Sequence, residues 1–108
     1  MTTFNKDTYT QEVRRLTEQQ VKSSNKSKIP GIENLGKTGY EVDHIVSIND
    51  CYDNNGSKDT CVNVNIASSW VNLRVVRPGV NESKGSKSLA SIQKLMEAYN
   101  SSKHVLLG

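Results

Sequence analysis

Asp43 and His44 stand side by side in an apolar stretch; further on come a lone amide, Asn72, and then Asn81 and Lys84, three residues apart. These side-chain types suit work on a phosphate. An imidazole has an unperturbed pKa of about 6.5, so near neutral pH it is largely uncharged and able to take a proton from water. A carboxylate and a side-chain amide are hard oxygen donors, one charged and one neutral, that favour Mg²⁺ or Mn²⁺ over softer ions. Lysine and arginine neutralise phosphate oxygens. Singly, each position has a plainer explanation. A histidine on a strand face is more often a hydrogen-bonded core residue, an isolated asparagine is a turn or cap, and Asn81 with Lys84 reads as a helix surface. Only a shared geometry turns them into a site.

The elements that must supply that geometry follow from the pattern along the chain. Residues 8–22 read as an amphipathic helix with Tyr9, Val13, Leu16 and Val21 near one face and Thr8 with Gln11 as a capping box. The polar run Ser23–Ser27 stops it, and Pro30, Gly31, Gly36 and Gly39 make 29–39 a turn-rich connector or irregular hairpin arm. Residues 40–48 alternate as a strand, with Tyr40, Val42, His44, Val46 and Ile48 on one side. Asn, Asp, Ser and Gly dominate 49–69, which predicts a long loop. Part of that loop imitates a calcium loop at Asp53, Asn55 and Gly56, but its first and twelfth positions would be Cys51 and Val62, where carboxylates are required. A second strand spans 70–77, a short helix starts near Pro78 and runs to about Lys84, and a last helix covers 88–100. That helix is capped by Ser88 and carries the stripe Leu89, Ile92, Leu95, Met96 and Tyr99. Strand, loop, strand, short helix is a ββα unit. Its adjacent Asp43 and His44 would point to opposite faces of a flat strand, so the strand is expected to end or twist there and carry His44 round to the metal side.

Composition bounds what such a unit can be. The 108 residues suit a single domain, 1–108, and 34% hydrophobic with 6% aromatic residues predicts a thin, polar core. No apolar run approaches the roughly 20 residues of a membrane span, and the opening residues lack the basic start and apolar stretch of a secretory signal. An intracellular, cytoplasmic protein without a membrane partner is therefore expected, with Cys51 and Cys61 as reduced thiols. Their ten-residue spacing, even with His104 added, matches no zinc pattern. Charge is divided: residues 1–28 hold six basic against three acidic side chains, 29–71 two against six, and 72–108 six against two. Basic ends around an acidic middle suit a polyanion-binding surface that encloses a cation, and equally an ordinary solvated surface.

Taken together, Gly39-Tyr40-Glu41-Val42-Asp43-His44-Ile45-Val46, Val71-Asn72-Leu73 and Asn81-Glu82-Ser83-Lys84-Gly85 resemble the HNH endonucleases of the ββα-metal superfamily, of the free-standing phage or mobile-element type. The family places its middle Asn nine residues before the His or Asn of the helix, which is the spacing from Asn72 to Asn81. The run from Tyr40 to Val46 is also similar to the HNH domain of RNA-guided CRISPR effectors, without implying a guide RNA. The resemblance spans roughly 37–88. It implies an α+β fold with a ββα-metal core at 37–88, an added N-terminal helical arm at 1–28 and a C-terminal helix at 88–100.

The same resemblance implies the roles. His44 is the general base, Asp43 and Asn81 hold one divalent cation, and Asn72 orients the His44 imidazole by hydrogen bonding. Lys84, with Lys87, Arg74 and Arg77, grips backbone phosphates. Many relatives bind a structural zinc through paired cysteines; this chain has Arg77 and Val80 at the corresponding positions, so no structural zinc is expected. The 49–69 insert has no assigned role. Double-stranded DNA is the expected substrate, and because one site cuts one strand per engagement, double-strand cleavage would need a homodimer or two encounters. The competing readings are an HNH scaffold that binds DNA or a host protein without cutting, and an RNase or toxin sharing the ββα site.

Overall fold

Asn5, not Thr8, begins the first helix. Its side-chain oxygen accepts from the Thr8 N–H at 2.8 Å, and Asp7 sits in the first turn near the positive end of the helix dipole, so α1 covers Lys6–Gln20. The structure, a computed structural model, describes residues 5–53, 61–77, 79 and 89–107. Over these residues the fold is α+β. Four α-helices, α1, α2 (Ile48–Asp53), α3 (Val64–Ala67) and α4 (Leu89–Leu107), accompany an antiparallel pair of strands, β1 (Glu41–His44) and β2 (Leu73–Val76). The short helix expected from Pro78 to about Lys84 lies outside the described residues, Gly79 apart.

Several boundaries move for identifiable reasons. The strand expected over 40–48 stops at His44: Ile45 N–H still meets its in-register partner, the Asn72 backbone oxygen, but Asn72 N–H turns back to Ser69 and Val46 N–H bonds the Asn72 side chain. The strand expected over 70–77 is shortened to 73–76 by a 3-10 turn at Trp70–Asn72, capped by Ser69. The expected 49–69 loop contains α3 and all of α2 but Ile48. Asn63 acts as a cap rather than a loop former, accepting from Asn65 N–H at 2.8 Å, and Ser47, at the end of the expected strand, accepts from Asp50 N–H at 3.0 Å. The last helix runs on to Leu107, with neither Pro nor Gly between Ser101 and Leu107 to stop it sooner.

Tyr9, Val13 and Thr17, four residues apart, form the buried stripe of α1. Tyr9 and Val13 meet Val46, Cys51, Val62, Ala67, Ile92 and Leu95 in the main core. Met96, expected within the apolar stripe of the last helix, is 42% exposed. A smaller core of Ile29, Leu73 and Val75 lies against Val42 and Trp70. It is closed at the 29–31 turn, where Val75 N–H donates to Pro30 oxygen at 2.8 Å. Gly31 there has φ of 80°, and a Cβ would lie 2.4 Å from the Val75 carbonyl oxygen, so the approach of turn to strand requires glycine. Among the described residues, every buried side-chain nitrogen or oxygen has a hydrogen-bond partner.

Candidate functional site

His44 is the last residue of β1 and pairs with Leu73 across the ladder. Its Nε2 lies 2.9 Å from the hydroxyl of Thr17, which comes from α1 and is 7% exposed. The Thr17 hydroxyl donates its one proton to the Val13 carbonyl at 2.7 Å. It can therefore only accept from the imidazole, so Nε2 carries the proton, and in the neutral ring Nδ1 is the nitrogen with a lone pair. Sequence reasoning missed Thr17. The signal was present in the spacing of Tyr9, Val13 and Thr17, which puts a hydroxyl on the buried stripe of a helix otherwise read through its apolar residues.

Asp43 is 1% exposed, and its Oδ2 accepts from Arg74 Nε at 2.8 Å. The two are direct cross-strand partners. Paired residues of an antiparallel ladder share a face and neighbours in a strand alternate, so Asp43 with Arg74 occupies the face opposite His44 with Leu73. The strand ends at this pair, as expected; within the ladder, however, acid and imidazole remain on opposite sides and are not brought to one face. The guanidinium offsets the cost of burying the carboxylate. Arg74, expected to grip phosphate, is thus committed through Nε to Asp43, and only its terminal N–H groups remain for a ligand.

Asn72 is 1% exposed, and both ends of its amide are engaged. Oδ1 accepts from Val46 N–H at 2.7 Å, while Nδ2 donates to the Val46 and Ala67 carbonyls at 3.0 and 2.8 Å. This corrects the expectation that the amide bonds the His44 imidazole. Both of its protons are spent on backbone, so Asn72 clamps the chain where it leaves β1 and positions His44 through the main chain. It is a positioning residue.

Arg77 is exposed and lies over the Tyr40 ring at 5.5 Å, with Nε donating to the phenol oxygen at 3.4 Å. Asn81, Lys84 and Lys87 lie outside the described residues. No group of three His, Cys, Asp or Glu side chains able to hold a metal occurs among the described residues. Of the expected ligand pair, only Asp43 falls within them. Its chemistry fits a hard divalent ion, since a carboxylate is a charged oxygen donor.

No family model, curated protein or solved structure matches the chain. The reading of the site therefore rests on this chain's own residues. Cys51 is buried with Sγ 3.7 Å from the Val46 carbonyl, and neither cysteine is in a disulfide. No helix of the described residues is long and apolar enough to cross a membrane.

Proposed function

We propose that the chain is a metal-dependent DNA endonuclease of the HNH kind, hydrolysing phosphodiester bonds with His44 as general base. The observation that carries this reading is the anchoring of His44. Its Nε2 meets the Thr17 hydroxyl of α1, and the Asn72 clamp fixes the backbone that bears the ring, so the imidazole is held in one place for proton transfer. The spacing of Asp43-His44, Asn72 and Asn81 supports it independently. Asp43 and Asn81 would hold one Mg²⁺ or Mn²⁺, which when bound neutralises the scissile phosphate and stabilises the leaving oxygen. The exposed Arg77, with Lys84 and Lys87, supplies positive charge for flanking phosphates, so affinity should fall with salt and carry little sequence information. One such site cuts one strand of a duplex, and a homodimer would cut both.

A second reading is favoured by one contact. Arg74 already occupies one oxygen of Asp43, as it would in a scaffold that binds DNA or a host protein without an ion. Plasmid nicking separates the two. Supercoiled DNA with Mg²⁺ or Mn²⁺ should relax, and His44→Ala and Asp43→Ala should each abolish relaxation. Intact plasmid at every protein ratio and with every divalent ion would support the non-cleaving scaffold instead, and preferential cutting of an RNA substrate would support a ribonuclease.

A further inference from the structure

An open groove of about 430 Å³ lies apart from the strand pair, between the end of α1, the 65–70 segment and α4. Trp70 and Tyr99 contribute its aromatic rings. A lysine accompanies each: Lys28 Nζ is 5.3 Å from the Trp70 ring centre and Lys103 Nζ is 4.7 Å from that of Tyr99. The remaining lining is uncharged, Leu16 together with polar side chains that include the amides of Gln19, Asn25 and Asn65, and no carboxylate lines the groove among the described residues. Flat π surfaces, cations beside them and amides able to read base edges are the chemistry of single-stranded nucleic-acid binding. A groove for an acidic peptide would have no use for two rings, and one for an apolar ligand would not be edged with lysines.

We infer that this groove binds an unpaired nucleotide segment, with bases stacked on Trp70 and Tyr99 and phosphates met by Lys28 and Lys103. The inference rests on the reading of the substrate as nucleic acid and adds a second, non-cutting contact to it. The groove is tied to the site by α1. Thr17 faces His44, and Gln20, about 4.5 Å further along the helix axis, lines the groove and accepts from the Trp70 N–H at 2.7 Å. A strand leaving the duplex beside His44 would meet the rings next. A base stacking on Trp70 displaces Lys28 from a solvent-facing ring, where cation–π attraction is weak, and frees that ammonium for a phosphate.

Trp70 is the only tryptophan of the chain, so its fluorescence reports on this groove directly. The experiment titrates the full His44→Ala chain, which cannot cut, with a deoxythymidine oligonucleotide, a duplex of equal length and polyglutamate at low salt. Saturable quenching by the single strand, weakening as salt rises, is the expected result. Tyr99→Ala should weaken it about ten-fold or more, Tyr99→Phe should retain it, and Lys103→Glu should weaken it and flatten the salt dependence. No quenching by the single strand, quenching of equal strength by polyglutamate, or unchanged affinity in Tyr99→Ala and Lys103→Glu would each overturn the groove assignment. Failure of plasmid nicking by the unmodified chain would overturn the nuclease reading instead, so the two are distinguished.

Discussion

Replacing Thr17 by valine tests the proton accounting at His44 with little change in shape. Valine matches threonine in volume, and position 17 is 7% exposed, so packing on α1 is kept and the hydroxyl alone is lost. Two hydrogen bonds go with it, one to the Val13 carbonyl and one from the imidazole. A net hydrogen bond contributes about 0.5–1.5 kcal/mol, and His44 is half-buried, so water replaces part of the loss. A cost of about 1–2 kcal/mol follows, which in a domain near this size lowers Tm by roughly 4–8 °C for each kcal/mol. The effect on rate has a different origin. Without the Thr17 hydroxyl the ring loses the contact at Nε2, so its tautomer and orientation are less firmly set. A well-placed base contributes about 10²–10⁴-fold, and partial loss of its placement should lower kcat about ten-fold, or about 1.4 kcal/mol. KM should stay unchanged because Thr17 touches no substrate. Thr17→Ser, which keeps the hydroxyl, should recover most of the rate. Single-turnover nicking gives the kinetics, and nitrogen-15 correlation spectra of the imidazole give the tautomer in the absence of any substrate. A wild-type spectrum showing the proton on Nδ1 would refute the reasoning outright. So would a Thr17→Val chain with an unaltered tautomer and a rate within two-fold of wild type.

Three further perturbations bear on the same region. Asn72→Ala leaves the Val46 N–H and the Val46 and Ala67 carbonyls buried without their partner, at about 1–3 kcal/mol for each group not rescued by water, so urea denaturation should show a loss of several kcal/mol; an undiminished midpoint with lost activity would return Asn72 to a direct catalytic role. Arg74→Ala removes the guanidinium from the buried Asp43 carboxylate, and because the Arg74 side chain is 30% exposed the cost should fall near the lower end of the roughly 3–5 kcal/mol typical of a broken buried pair; adding Asp43→Asn should recover part of it, and purely additive losses in denaturation would contradict the pairing. Burial drives the Tyr9 phenol far above its ordinary pKa, and its hydroxyl donates to the Val62 carbonyl at 2.5 Å. A raised folded pKa means the folded chain keeps a proton the unfolded chain loses, so the Tyr9 contribution is complete below about pH 10 and declines above it. Alkaline titration followed at the tyrosinate absorbance should show one of the four tyrosines ionising only with unfolding, and four groups titrating together would exclude the buried phenol.

What was legible in the sequence was whatever a periodic pattern or a strong breaker encodes. The α1 stripe at Tyr9 and Val13, the alternation around Val42 and His44, and the apolar spacing of Ile92 and Leu95 all state a face that must be buried, and each lies in the expected element. Boundaries were less legible because they are decided by capping and by tertiary hydrogen bonds. Asn5 outcompetes Thr8 for the start of α1, Ser47 starts a helix at the end of a stretch that alternates like a strand, and Asn63 starts one in a stretch whose composition reads as loop. The end of β1 is set by Asn72, 26 residues from Val46 in the chain. No local pattern near Val46 encodes that bond.

The same limit explains what was seen and missed at the candidate site. Residue type and spacing singled out Asp43, His44 and Asn72, yet the task of each polar atom depends on who reaches it first. Asn72 could have bonded an imidazole or a backbone; two carbonyls and an N–H surround it, so the backbone takes both of its protons and engages its oxygen. Arg74 could have faced a phosphate; its cross-strand register puts Asp43 within 2.8 Å, and a buried carboxylate is the more demanding partner. The vacancy this leaves at the imidazole is filled from α1, an element that the motif treats as an appendage. With Tyr9 and Val13 in the main core and Thr17 on His44, that helix is joined to the strand pair both by packing and by the contact at Nε2. A change at the buried face of α1 should therefore reach the imidazole, although none of its residues belongs to the motif that drew attention to the site.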